Sequence, residues 1–246
     1  MSEEQSINKV DLTTVNLNEI KNKLYENLKP SGWGDKLKTF ILSDEFDLVL
    51  NTLLNEVKND KRFTPVLKQV FRAFEECPLS DLKVIIIANE PNNNIYVSDG
   101  IAFSCSNLGI VEEPLKTIFK ALESTVYKDG RIPDPDLKRW SNQGILLLNT
   151  SLTTRIHTSG DHIQLWKPFM SFLFDYLLFN HSDAIYVFMG KKSEIWLESI
   201  PEHSTRLIVP HPFASLQRDD KKWEHDDLFN TISKLVKTKF NTDLQW

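Results

Sequence analysis

The amino-acid sequence predicts a three-layer α/β/α sandwich built on a central, mostly parallel sheet of four strands. Three observations lead there. Four short runs, Lys83-Val84-Ile85-Ile86-Ile87, Gly144-Ile145-Leu146-Leu147-Leu148, Ala184-Ile185-Tyr186-Val187-Phe188-Met189 and Thr205-Arg206-Leu207-Ile208-Val209, are close to continuously apolar, as strands covered on both faces are. Stretches with helical spacing separate them, and strands alternating with helices mean crossover connections and parallel neighbours. The 246 residues are 41% hydrophobic and 26% charged, enough to close one substantial core. With no internal repeat and no break in composition, the chain reads as a flexible tail over 1–17 and a single domain over 18–246.

The elements follow in order. After the polar tail a short helix can begin near Asn18. Leu37, Phe40 and Ile41, then Phe46, Val49, Leu50, Leu53, Leu54 and Val57, recur at three- and four-residue spacing, with Ser43 and Asp44 placed to cap the second run. These are two amphipathic helices. Pro65 opens a third over 65–74, since proline suits a first helical turn, and Cys77-Pro78 ends it. Beyond the first strand, helices are expected over Pro114 to Val126, Leu165 to Asn180, Lys192 to Ser199 and Asp226 to Thr238.

Composition also excludes function classes. The apolar runs fall far short of the roughly 20 residues of a membrane span, and MSEEQSINKVDL has acids but no apolar stretch of a secretion signal. The expectation is a protein of the cell interior, cytoplasmic and not secreted. Two cysteines, Cys77 and Cys105, exclude a disulfide framework and a cysteine zinc site, and each reads as a small buried apolar residue. Twenty-nine basic residues against thirty-four acidic ones give −5, so any polyanion site must be a local patch. The sequence carries no P-loop, no G-x-G-x-x-G and no metal-ligand cluster, and neither cofactor nor metal is expected.

Open α/β sheets bind ligands beyond the carboxyl ends of their strands. The first strand runs into ANEPNNN, residues 88–94, and then DGIAFS, residues 99–104. Glu90, fixed in direction by Pro91, is placed to act as a base or to sit beside a developing cation, or else it and the asparagines are turn formers. The second strand ends at Asn149, which offers a donor and an acceptor at one point, the pair needed to read an amide-like edge; it equally suits a turn or cap. The fourth ends in VPHPFAS, residues 209–215, with His211 pinned between Pro210 and Pro212.

The order VIIIANEP, DGIAFS, PLKTIFKAL, WSNQGILLLNTSLTTR, GDHIQLW, YVFMGKKSE, VPHPFAS resembles the uracil-DNA glycosylase superfamily in its family-1 form, from about Gly32 to Trp246. The resemblance implies a DNA glycosylase of base excision repair. It places Glu90 at the aspartate that supports the attacking water and His211 at the donor to the developing uracil O2 charge. Phe103 falls at the ring that stacks on the flipped base, and Asn149 at the reader of the uracil edge, with Asn89 and Asn92 in the same base-binding loop. Such an enzyme extrudes its target base into a pocket. Bond cleavage then leaves positive charge on the sugar, facing Glu90, and negative charge on the base, facing His211.

The loop departs from the family's GQDPYH. Glu90 is one methylene longer than aspartate, and a displacement of about 1 Å can cost about 100-fold in rate. Asn92 stands where a tyrosine excludes thymine, so 5-substituted pyrimidines are expected to enter. Glu112 and Glu113, beside Pro114, oppose a DNA backbone. Ser215 takes the place of the intercalating leucine, with Leu216 next to it as a candidate wedge. Lys191, Lys192, Arg155, Arg218, Lys221 and Lys222 form a candidate basic rim. The expected partner is DNA containing uracil or a modified pyrimidine, bound by a monomer, with a protein partner in replication or a glycosylase inhibitor as a further expectation. The alternative is a catalytically weak or inactive replication accessory on the same fold.

Overall fold

The computed structural model describes residues 15–107, 111–127, 134–217, 223, 225 and 227–246. Helix α1 (Leu17–Leu28) starts where Asn16 Oδ1 accepts from the Asn18 amide at 3.0 Å. Helices α2 (Trp33–Ile41) and α3 (Asp44–Lys58) follow, the second capped by Ser43, whose Oγ accepts from the Phe46 amide at 3.3 Å. Strand β1 (Phe63–Thr64) leads into the segment expected as one helix over 65–74. That helix does not form: a 3-10 turn at Leu67–Gln69 and a short α4 (Arg72–Glu75) replace it. The reason is tertiary. The Gly100 backbone presses against the Gln69 carbonyl, where a Cβ on the glycine would lie 1.8 Å from the oxygen, and Arg72 turns to two carboxylates described below.

The remaining elements are β2 (Val84–Ala88), α5 (Glu113–Thr125), α6 (Lys138–Ser141), β3 (Ile145–Asn149), β4 (Thr154–Arg155), α7 (Ile163–Asn180), β5 (Ile185–Met189), β6 (Thr205–Val209) and α8 (Leu228–Phe240). The expected helix over 192–199 is a 3-10 turn, Ser193–Ser199, and a second such turn covers Pro212–Gln217. The main sheet has the order β3-β2-β5-β6 and every pairing in it is parallel. Strands β2, β3 and β5 are buried at every position, as their continuous apolar runs require. β6 departs from that expectation: it has a single neighbour, at the sheet edge, and only Val209 is buried. A small antiparallel ladder, which the sequence did not announce, pairs Phe63 with Arg155 and Thr64 with Thr154.

Helices flank the sheet in two groups. On α2, α3, α4 and α7, Trp33, Phe40, Phe46, Phe74, Trp166 and Phe169 interlock edge to face, for example Trp33 on Phe74 at 5.1 Å. The other group joins α5 to α8 and α8 to β5, and Trp246 seats between Phe229 at 4.9 Å and Trp140 at 5.2 Å. Each such fully buried side chain contributes about 1.5–3 kcal/mol. Both cysteines are free and buried, and burial pushes the Cys77 thiol up to about 12. No helix among the described residues is long and apolar enough to cross a membrane.

Candidate active site

Strand register assembles the site. Ala88 pairs with Asn149, so the chain after β2 and the chain after β3 leave the sheet side by side. The Thr150 amide then donates to the Asn89 carbonyl at 2.7 Å and the Thr150 hydroxyl to the Ala88 carbonyl at 2.8 Å. On the other flank the Gly190 amide donates to the Val209 carbonyl at 2.9 Å, and the Lys192 amide to Asn89 Oδ1 at 3.1 Å. Gly190 has φ +110°, and a Cβ there would stand 2.6 Å from Asn89 Oδ1 and 2.9 Å from His211 Cβ. Only glycine fits where these three strand ends converge.

Glu90, Asn92, Phe103, Asn149 and His211 all line one cavity of about 100 Å3. That is smaller than the ~300–1,000 Å3 of sites for drug-sized ligands and suits a single heterocycle. Asn149 is buried, and its side chain makes no hydrogen bond among the described residues. Asn92 spends its side-chain oxygen on the Asn94 amide, at 2.9 Å. Phe103 sits at φ +67°, its ring 5.4 Å from that of His211.

Glu90 uses its two oxygens differently. Oε1 accepts from Lys192 Nζ at 2.6 Å and from the Ser159 hydroxyl, while Lys192 Nζ also donates to Ser159 Oγ at 2.7 Å. Oε2 is buried and has no hydrogen-bond partner among the described residues. His211 is also set in one form. The Phe213 amide donates to its Nδ1 at 3.2 Å, so in the neutral ring Nε2 carries the hydrogen. Burial holds the imidazole down at about 4, against the pull of Glu90 and with the help of Lys192. The ring is therefore neutral at pH 7, a hydrogen-bond donor without charge.

Two residues that the sequence analysis did not single out hold the Phe103 loop. Asp99 is fully buried; its Oδ1 accepts from the Ile101 amide at 3.1 Å, and its Oδ2 from the Ser104 hydroxyl at 2.7 Å and the Ser106 amide at 2.8 Å. Arg72 pairs with Asp99 at 2.7 Å and reaches both oxygens of Asp136 at 2.8 Å.

Of the expected basic rim, the described members are Lys191, Lys192 and Arg155. Lys191 is 92% exposed beside Glu194, as a rim cation should be. Lys192 turns inward onto Glu90, and Arg155 is taken up by Glu56 and Asp161. Glu112 borders the cavity itself, whereas Glu113 pairs with Lys116. The backbone of Ser215 and Leu216 lies in the 3-10 turn Pro212–Gln217; their side chains, and all of Arg218, Lys221 and Lys222, lie outside what is described.

Residues 74–242 match the profile of the Uracil DNA glycosylase superfamily. The chain belongs to the uracil-DNA glycosylase superfamily. Its similarity to the Uracil-DNA glycosylase of Borrelia hermsii (strain HS1 / DAH) is 30% identity over 189 residues, 74% of this chain and 84% of the relative. That of Mesomycoplasma hyopneumoniae (strain 7448) is 27% identical over 197 residues, 78% of this chain and 87% of the relative. The crystal structure of mimivirus uracil-DNA glycosylase shares the fold with a TM-score of 0.76 at 20% identity, over 94% of this chain and 89% of that one. A mimivirus variant crystallised in complex with UGI superposes with a TM-score of 0.75 at 22% identity, over 94% and 91%. The α/β sandwich expected from the strand pattern, and the glycosylase fold that the resemblance implied, are thus borne out.

Proposed function

We propose that this chain hydrolyses the N-glycosidic bond of uracil in DNA, a step of base excision repair. The observation that carries the reading is the meeting of Glu90, Phe103, Asn149 and His211 around a cavity of one-base size. In this reading the target nucleotide leaves the stack and its base lies against Phe103, edge-bonded by Asn149. Water attacks C1′ of the sugar as the bond from C1′ to the base breaks, its electron pair passing to the base. Glu90 Oε2 takes the proton from that water and sits beside the positive charge on the sugar. His211 Nε2–H donates to the base oxygen where negative charge collects, in a site already shielded from water. Lys192 and Ser159 act through Glu90 by anchoring Oε1.

Asn92, narrow and polar, supports entry of pyrimidines substituted at C5. Residues 18–246 act as one catalytic unit, working as a monomer inside the cell, with DNA approaching across the strand ends past Lys191. The Ser215–Leu216 turn carries the wedge. A glycosylase inhibitor would cover the same face, a reading supported by the mimivirus neighbour's complex with UGI.

The test is excision from labelled oligonucleotides bearing one U, T or 5-hydroxymethyl-U, single-stranded and paired. Glu90→Gln is expected to lose about 100-fold or more in single-turnover rate while keeping its circular dichroism. Absence of cleavage of every substrate by the wild-type protein would overturn the reading, and full activity in the variant would remove Glu90 from its role.

A further inference from the structure

A second and larger cavity adjoins the base cavity. It measures about 590 Å3, within the ~300–1,000 Å3 of ligand sites. The two share a wall, since Ser98 borders both. The segment from Asn92, in the base cavity, to Ser98 carries Ile95 and Tyr96 into the larger groove. Val57, Val66 and Leu67 complete an apolar lining in which all five side chains are exposed to solvent. Contiguous exposed apolar surface of this kind marks a binding face.

Tyr96 is the unusual member. It stands at φ +65°, a backbone region that bulky residues rarely enter and that persists when its surroundings enforce it. Yet its side chain is 54% exposed, so burial of the ring does not offset the strain. Arg62 and Lys68 border the same groove, and neither has an ion-pair partner among the described residues. Among the described residues no carboxylate lines the groove, in a chain whose net charge is −5. Gln69 and Asn107, joined at 2.9 Å, add amide groups to the lining.

An aromatic face, apolar walls and two cations without an ion-pair partner among the described residues, all beside the base cavity, describe a platform for unpaired nucleotides. We propose that this groove binds the single-stranded DNA that flanks the nucleotide whose base is excised, with one flanking base stacked on Tyr96 and its phosphates beside Arg62 and Lys68. A duplex cannot use the platform, because its base faces are already stacked on one another. The proposal deepens the glycosylase reading, on which its placement beside the catalytic pocket rests, and selects single strands as the favoured substrate.

The experiment is fluorescence anisotropy of a labelled, uracil-free oligothymidylate of about eight nucleotides, a typical single-strand site size, and of its duplex. Stacking of one base on one aromatic changes affinity roughly 5- to 150-fold. Tyr96→Ala is expected to weaken single-strand binding about 10-fold, Tyr96→Trp to restore it, and Lys68→Glu to weaken it independently, with duplex binding unchanged in all three. Equal single-strand affinity in wild type, Tyr96→Ala and Lys68→Glu overturns the proposal whatever excision shows. So does binding of an apolar peptide in the groove with no effect of these variants on DNA. Because the probe holds no uracil, Tyr96-dependent binding by a protein that excises nothing would sink the glycosylase reading and leave the groove standing.

Discussion

The carboxylate of Glu90 is anchored at Oε1 and, among the described residues, unpartnered at Oε2, and Lys192 is the residue that makes the difference. Lys192→Met should lower kcat with KM little changed, and Lys192→Arg should recover part of the loss; a change confined to KM, or no rescue by arginine, would make Lys192 structural. His211 gives a pH expectation. Burial holds it at about 4, below the ordinary 6.5, so unfolding takes up a proton between those values. Its contribution to stability is complete above about pH 6.5 and is lost as pH falls toward 4. Excision should accordingly show no acid limb near pH 6.5, and ring chemical shifts of His211 should titrate near 4; a midpoint at 6.5 would show the ring to be solvated. Glu90, Asn149 and His211 were legible in the sequence because strand ends of a parallel sheet are where ligands bind. The inward turn of Lys192 was not, since composition is silent on which way a lysine faces.

At the scale of elements, the loop bearing Phe103 is secured by ionic groups rather than by secondary structure. Asp99 accepts three hydrogen bonds, from Ile101, Ser104 and Ser106, and pairs with Arg72 of α4. Asp99→Ala leaves Arg72 with one buried partner missing, and breaking such a pair costs about 3–5 kcal/mol. Thermal unfolding should register that as a clear drop in Tm; an unchanged Tm would show the loop to be held by packing alone. A second network joins α3, β4 and α7. Trp166 Nε1 donates to Thr153 Oγ1, whose hydrogen goes to His162 Nδ1, leaving Nε2–H for Glu56, which also holds Arg155. These ties explain what the sequence left unread. Strands β2, β3 and β5 announced themselves through unbroken apolar runs, whereas β1 and β4 are too short to carry a period. The helix expected from Pro65 fails because Gly100 and the carboxylates claim its backbone and Arg72.

Over the whole molecule, an excess of acidic residues coexists with a reading that requires a polyanion, so the local placement of cations near the site matters more than their number. Lys191 stands by the strand ends and Arg62 with Lys68 by the adjoining groove, while Arg155 and Lys192 are committed to ion pairs with Glu56 and Glu90. Sequence counting could give the net charge but not this division. The sheet contributes the other global property, the spacing of groups that come from β2, β3, β5 and β6. Gly190 is the point at which that spacing can be altered alone. A single methyl there meets His211 Cβ at 2.9 Å and Asn89 Oδ1 at 2.6 Å, so Gly190→Ala should push the loops apart while leaving the chemistry of each titratable side chain unchanged. A shift of about 1 Å is enough to cost about 100-fold in rate, so single-turnover excision should fall by that order with the far-ultraviolet spectrum preserved; wild-type rates would mean that the loops yield freely. Such a variant would be a chemically complete enzyme disarmed by geometry, a control that separates what the groups are from where they stand.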